Sequence, residues 1–182
     1  MKATGIVRRI DDLGRVVVPK EIRRTLRIRE GDPMEIFTDR EGEIILKKYS
    51  PIGELGNFSQ QYAEAVYQAT KYPVLICDKD QFIAAAGIPK QEIIGTDIHK
   101  ELETAIDNRQ NIFAQKSDRD FIHLCGMNNH DFYSQAVSTI ICAGDAVGAI
   151  AILSTKEETP LEADALNLAM TGSCFLGKQL EN

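Results

Sequence analysis

From Gly5 to Arg27 seven basic residues (Arg8, Arg9, Arg15, Lys20, Arg23, Arg24 and Arg27) are set among β-branched residues, a glycine turn and a proline, with Lys2 just before and Arg29 just after. Asp11, Asp12 and Glu21 are the only acids among them. Ile6, Arg8 and Ile10 alternate with Val7 and Arg9, which predicts a strand over residues 5–10. Asp11–Gly14 is turn chemistry, with Gly14 able to take a positive φ, and Val16–Val18 reads as a second short strand. Pro19 suits a first helical position, where its missing N–H costs nothing. One helix fits from there to Ile28, with Ile22 and Leu26 one turn apart on its inner side and Gly31-Asp32-Pro33 ending it. Two further strands, Met34–Thr38 and Glu43–Lys48, flank a turn at Asp39–Gly42. Four short strands and one short helix in about fifty residues cannot bury a sufficient core alone. The segment is therefore expected to be half of an intertwined dimer, strands of one chain completing the sheet of the other and the basic surface doubled.

Charge divides along the chain. Residues 1–50 hold 12 Lys/Arg against 9 Asp/Glu, net +3, and residues 51–182 hold 9 against 18, net −9, within an overall −6. A basic face of this density in an acidic protein is a local device that suits phosphates. The acidic remainder is too negative to lie along DNA and is assigned no DNA contact.

The run MKATGIVRRIDDLGRVVVPKEIRRTLRIREGDPMEIF resembles the AbrB-type swapped-hairpin DNA-binding domain, with glycine, proline and arginines at that family's spacings. The whole chain, with its longer C-terminal part, resembles the SpoVT (stage V sporulation protein T) family of sporulation regulators. The resemblance implies DNA contact by Arg8, Arg15, Arg23 and Arg24, supported by Lys2 and Arg9. The residues alone point to the same basic face. The bland reading is a solvated face, or arginines paired with acids of the swapped partner, but nine Lys/Arg against three acids through Arg29 leave most without local partners. The resemblance further implies double-stranded DNA, AT-rich and loosely specific, read by shape and deformability.

Tyr49 to Gly56 holds a proline and two glycines, which places a linker at 51–56 between an N-terminal domain (1–50) and a second domain (57–182). Asn57 is positioned to cap a helix over 57–70 whose Phe58, Tyr62, Ala65, Val66 and Ala69 form an apolar stripe. Pro73–Cys77 and Phe82–Ala86 read as strands around an Asp78–Gln81 turn, Ile98–Arg109 as a helix and Phe121–Cys125 as extended. The clearest hairpin is Ala136–Cys142 and Ala146–Leu153, turned by Gly144, its second strand apolar enough for the centre of a sheet. Leu161–Leu180 reads as a closing helix with two apolar stripes: Leu161, Ala165, Leu168 and Phe175, then Leu166, Met170 and Gly177. This order resembles a GAF-like sensor domain. The fold class is α+β: an AbrB-like swapped-hairpin dimer with one short helix, joined to a GAF-like antiparallel sheet flanked by helices. The terminal helices are the natural dimerisation surface, and the resemblance favours a tetramer.

No signature for a cyclic nucleotide or an attached chromophore is present, so any small-molecule ligand of the second domain stays unidentified. His123 and Cys125, two apart on an expected strand, share a face and could begin a metal or haem site. Such residues are more often satisfied members of a core, and neither a metal nor a cofactor is expected. His99 and His130 are expected to be solvated. Ser134, Ser138, His123 and Asp131 supply triad residue types without a nucleophile-elbow spacing, so no catalytic residue is assigned and the chain is read as a non-enzyme. Cys77, Cys125, Cys142 and Cys174 lie in apolar segments without CxxC pairing and read as buried free thiols of a reducing compartment. No apolar run approaches the roughly 18 residues that span a bilayer, and Arg8 and Arg9 interrupt any signal-peptide core. The expectation is a cytoplasmic, nucleoid-associated transcriptional regulator of sporulation genes, both activator and repressor. An antitoxin-like DNA-binding partner of a toxin is the alternative, and so is a purely architectural second domain that only sets a tetramer.

Overall fold

A computed structural model describes residues 5–126 and 132–181. Lys2, His130 and Asp131 lie outside the described residues. The chain divides into two compact units, Met1–Tyr49 and Ser50–Asn182.

The first unit holds helix α1 (Lys20–Thr25) and a hairpin of β1 (Met34–Thr38) and β2 (Ile44–Lys48), registered from Met34 opposite Lys48 to Thr38 opposite Ile44. Asp39 organises the hairpin turn by accepting from the N–H groups of Glu41 and Glu43 at 3.0 and 2.8 Å. The strands expected over 5–10 and 16–18 do not form. A strand exists by its ladder, and among the described residues the backbone bond beside these segments is Asp11 N–H to the Arg15 carbonyl, 2.9 Å, at the turn itself. Nothing described in the chain covers them: Val7 is 89 % exposed and Val17 70 %. Helix α1 also ends three residues before the expected Ile28. Arg27 turns left-handed (φ 52°). Ile28 N–H then bonds the Arg23 carbonyl and Arg27 N–H the Arg24 carbonyl, at 2.7 and 3.4 Å, the pairing of a Schellman cap. Leu26, expected on the inner side, is consequently 57 % exposed.

The second unit begins at once. Residues 51–56, expected as a linker, are helical: α2 (Pro51–Glu54) is capped by Ser50, whose Oγ accepts from Gly53 N–H at 3.2 Å, and α3 (Gly56–Thr70) comes directly after Leu55. Asn57 is therefore inside the first turn of α3 and not its cap. Strands β3 (Val74–Cys77), β4 (Phe82–Ala86), β5 (Asn111–Gln115), β6 (Ser134–Cys142) and β7 (Asp145–Ser154) make one antiparallel sheet in the order β4-β3-β7-β6-β5. Helices α4 (Lys90–Ile93) and α5 (Lys100–Asp107) lie between β4 and β5 in sequence, and α6 (Asp164–Gln179) closes the chain.

The sheet is buried on both faces. Leu75, Val137, Ala149, Ala151 and Leu153 enter one core with Ile93 of α4 and Leu102 and Ile106 of α5. Their neighbours Val74, Ile76, Ala136, Ile150 and Ile152 enter a second core with Ala63 of α3 and Ala165, Ala169 and Leu176 of α6. That double burial is why β7 is apolar at nearly every position. The β6–β7 loop is two residues long, Ala143 (φ 48°) and Gly144 (φ 89°), the both-positive pattern of a type I′ hairpin turn.

Helix α6 buries small residues on its inner side: Ala165, Ala169, Gly172, Ser173 and Gly177. A Cβ on Gly177 would collide with the Ile141 carbonyl of β6, and one on Gly172 with the Tyr62 ring of α3. The Tyr62 hydroxyl donates to the Leu168 carbonyl at 2.6 Å and ties α3 to α6. Phe175 and Met170, members of the two apolar stripes, are 42 % and 41 % exposed in the single chain. The segment Phe121–Cys125 is not a strand. Ile98 and Cys125 form one isolated bridge, and buried Gln135 holds the segment with its amide, donating to the Ile122 carbonyl at 3.0 Å and accepting from Ile122 N–H at 2.6 Å.

Candidate nucleic-acid interface

Arg8 and Arg9 precede the Asp11–Gly14 turn, Arg15 comes just after it, and Arg23 and Arg24 are neighbours on α1; all five side chains are exposed. Arg23 and Arg24 point about 100° apart around the helix. Among the described residues, Arg8, Arg9, Arg23 and Arg24 have no ion-pair partner. Arg15 differs. Its Nε donates to Asp11 Oδ2 at 2.8 Å and its backbone N–H to Asp11 Oδ1 at 2.7 Å. Leu13 N–H reaches the same Oδ1 at 3.0 Å. One carboxylate thus closes the turn and fixes the guanidinium beside it. The Arg15 backbone N–H, then the Arg15 side chain, hold the Asp11 carboxyl below the usual aspartate range, against a small opposing effect of burial. Arg15 keeps 70 % of its side-chain exposure and presents its outer nitrogens to solvent.

The sequence places Asp11 in a turn and counts it among the opposing acids; the structure adds that the same carboxylate binds the Arg15 side chain.

The surrounding scaffold is thin. Asp32 holds the chain after α1, accepting from Arg29 N–H at 2.8 Å and pairing with Lys48 Nζ at 3.0 Å, while Lys48 also donates to the Arg27 carbonyl. Pro19 is the only described residue of the first unit that is fully buried.

In the second unit His123 and Cys125 do not share a ligand face. The Cys125 segment bridges Ile98, whereas His123 meets Glu101: its Nδ1 is 2.9 Å from Glu101 Oε2, and its backbone N–H donates to the same oxygen at 2.7 Å. His99 caps α5 through Nδ1, accepting from Glu101 N–H at 3.3 Å.

Residues 54–181 match the family profile "Stage V sporulation protein T C-terminal, transcription factor", and residues 7–54 match that of "Antidote-toxin recognition MazE, bacterial antitoxin". The chain is 50 % identical to stage V sporulation protein T of Bacillus subtilis over 181 residues, 100 % of this chain and 99 % of that one. The chain belongs to the stage V sporulation protein T family. Over 51 residues, 28 % of this chain and 52 % of the relative, this family member is also 65 % identical to the transition state regulatory protein AbrB of Bacillus subtilis. Its second unit has the GAF fold: the GAF domain of an Acinetobacter phosphoenolpyruvate-protein phosphotransferase superposes with a TM-score of 0.54 at 13 % identity, over 71 % of this chain and 87 % of that one.

As a member of the stage V sporulation protein T family the chain is a transcription factor with an AbrB-like N-terminal DNA-binding domain. The antitoxin-type match stops at residue 54. Beyond it the chain folds into a helix-flanked sheet and not into the short disordered tail of an antitoxin. The triad residue types are not assembled. Ser134 Oγ accepts from Leu161 N–H at 2.9 Å, and Ser138 Oγ is shared between Asn111 Oδ1 and Ser173 Oγ, both at 2.8 Å. Both serines are buried, while His123 is exposed. Of the four free cysteines, Cys77 is buried and Cys174 is exposed, contrary to the expectation that all four are buried. Burial pushes the thiols of Cys77, Cys125 and Cys142 above the usual range. A cleft of about 400 Å³ opens where α6 crosses β5 and β6, lined by Arg109, Asn111, Ser138, Ser173 and Lys178 among others. Among the described residues no helix is long and apolar enough to cross a membrane.

Proposed function

We propose that this regulator binds double-stranded DNA through Arg8, Arg15, Arg23 and Arg24, with Lys2 and Arg9 in support, on a face completed by a second copy of the chain. The observation that carries the reading is a set of exposed arginines on a unit whose described residues bury only Pro19. A peptide segment with Val7, Ile10, Leu13 and Val17 each at least two-thirds exposed gains little by folding alone. A partner that covers those side chains supplies the missing core and doubles the charge. The DNA is AT-rich and loosely specific, the genes are those of spore development, and regulation includes activation and repression, as the relative's name and the family resemblance suggest. The protein acts in the cytoplasm on the nucleoid and carries out no catalysis. The Cys77, Cys125 and Cys142 thiols, pushed up by burial, and the Ser134 and Ser138 hydroxyls, committed to structural bonds, support that reading. The GAF-like unit senses a small molecule of unknown identity or sets a tetramer through its terminal helices.

Salt dependence tests the interface on the full chain. Each phosphate contact contributes about 0.9 to the slope of log K against log salt for B-DNA. Arg24→Ala should weaken binding at every site and lower that slope by about one. Arg15→Ala should do the same and additionally weaken the turn, since Asp11 loses its side-chain partner while keeping the Arg15 and Leu13 N–H groups. Unchanged slopes in both variants would remove these residues from the interface.

A further inference from the structure

We propose that His99, Glu101 and His123 form a binding site for a divalent transition-metal ion of the zinc class, with its remaining positions open to solvent or to an exogenous ligand. The inference does not depend on the DNA-binding reading.

Three donors of the right chemistry converge from two separate segments. Glu101 Oε2 is 2.9 Å from His123 Nδ1 and 4.0 Å from His99 Nδ1, and the three ligand atoms all lie within 4.8 Å of one another. The imidazole rings stand 5.3 Å apart with their planes tilted by 53°, so they do not stack face to face. A tetrahedral zinc ion with bonds of about 2.1 Å separates its donors by about 3.4 Å. The observed pair distances bracket that value, and small side-chain rotations close the difference.

The nitrogens are close to their ligating form. His99 Nδ1 accepts from Glu101 N–H, which leaves its lone pair unprotonated and its proton on Nε2. That bond is long, so exchanging it for a metal bond sacrifices little. At His123 the ion takes Nδ1 in place of the hydrogen bond to Oε2, and the ring proton passes through solvent to Nε2, a tautomer exchange with no net change of protons in the neutral ring. Neither step changes an oxidation state.

The backbone beneath the three is fixed by bonds that do not involve them as ligands. His99 N–H donates to the Leu124 carbonyl at 2.8 Å, Ile98 bridges Cys125, and Gln135 holds Ile122. Sites on supported elements keep their geometry. The bound ion ties the 121–125 segment to the start of α5 through side chains as well as backbone. Two imidazoles and one carboxylate suit zinc, cobalt, nickel or copper, whereas calcium and magnesium prefer all-oxygen sites. Side-chain exposures of 36 %, 46 % and 71 % for His99, Glu101 and His123 leave the coordination sphere accessible from one side. A three-residue set with an open position is the arrangement of a ligand-exchanging zinc site, not of a closed structural one.

The test is titration of the full-length chain, free of any histidine tag, with cobalt(II) and zinc(II), read by calorimetry and by the visible absorption of cobalt. A single equivalent per chain is expected. His123→Gln and His99→Gln should each weaken it at least about tenfold, since even loss of an outer-shell partner costs that much. His123 is largely exposed and its variant loses only the side-chain bond to Glu101, so the fold should persist, and zinc should raise the melting temperature of the parent but not of His123→Gln. Cys125→Ser should bind as the parent does. The proposal fails if both histidine variants bind with unchanged affinity, if no equivalent binds, or if cobalt shows thiolate bands that Cys125→Ser removes.

Discussion

Single carboxylates do much of the organising in the N-terminal unit. Asp11 closes one turn, Asp39 another, and Asp32 joins the segment after α1 to the end of β2. Burial pushes the Asp32 carboxyl up, but the Arg29 N–H and the Lys48 ammonium outweigh it and the net shift is downward. A carboxyl lowered by folding stabilises the fold above its unfolded value, about 4 for aspartate, and that stabilisation is lost as pH falls through the lower folded value. Acid should therefore loosen this unit, and Asp32→Asn should flatten the dependence. Urea midpoints of the N-terminal amide resonances, measured from about pH 5 to about pH 2, report it. Equal acid slopes in parent and variant would contradict the role given to Asp32. Residue types alone predicted the exposed arginines, because unpaired charge has few other places to go. They did not predict that Arg15 is clasped by Asp11, nor that His99, Glu101 and His123 meet, since 22 residues separate the last two and only the tertiary fold closes that gap.

Elements with a strong period were legible before the structure. The β6–β7 hairpin announces itself by apolar runs on either side of Ala143-Gly144, and its bounds differ from expectation by only one or two residues. Strand β5 went unread because its five residues, Asn111–Gln115, bury only Ile112 and Ala114 and expose Phe113. Helix α4 is a single turn, too short for any helical period to register. Helix α1 was overextended because the residue that ends it in the left-handed region is arginine, where glycine would have been the signal. The two stripes read on α6 weighted large residues, whereas its seat on the sheet is made by small ones. Gly177→Ala tests that seat. Helix propensity would gain about 1 kcal/mol, but the added methyl meets the Ile141 carbonyl, a backbone atom that cannot rotate away. Overpacking of this kind costs about 1–3 kcal/mol, so a net loss of up to about 2 kcal/mol is expected in a urea melt monitored by far-ultraviolet circular dichroism. A more stable variant would mean that the helix sits further from the sheet.

For the whole molecule, the two units carry different kinds of stability. The second unit buries residues on both faces of its sheet, while the first exposes most of its apolar side chains. Unfolding of the first unit should therefore depend on protein concentration, with a midpoint that rises on concentrating the sample, while that of the sheet core should change less. Native mass spectrometry of the full chain should show dimers or tetramers. A chain that remains monomeric at micromolar concentration, with an N-terminal unit of fixed midpoint, would end the paired-unit reading. The glycines of α6 carry a mechanical implication as well. Sliding α6 by one turn, about 5.4 Å, would bring Ser173 or Glu181 to the place where Gly177 rests on Ile141, and neither side chain fits there. Gly172 and Gly177 are stops. A full-turn slip of α6 along the sheet is thereby blocked, and a displacement of that size must carry β6 and the Tyr62 ring of α3 with it.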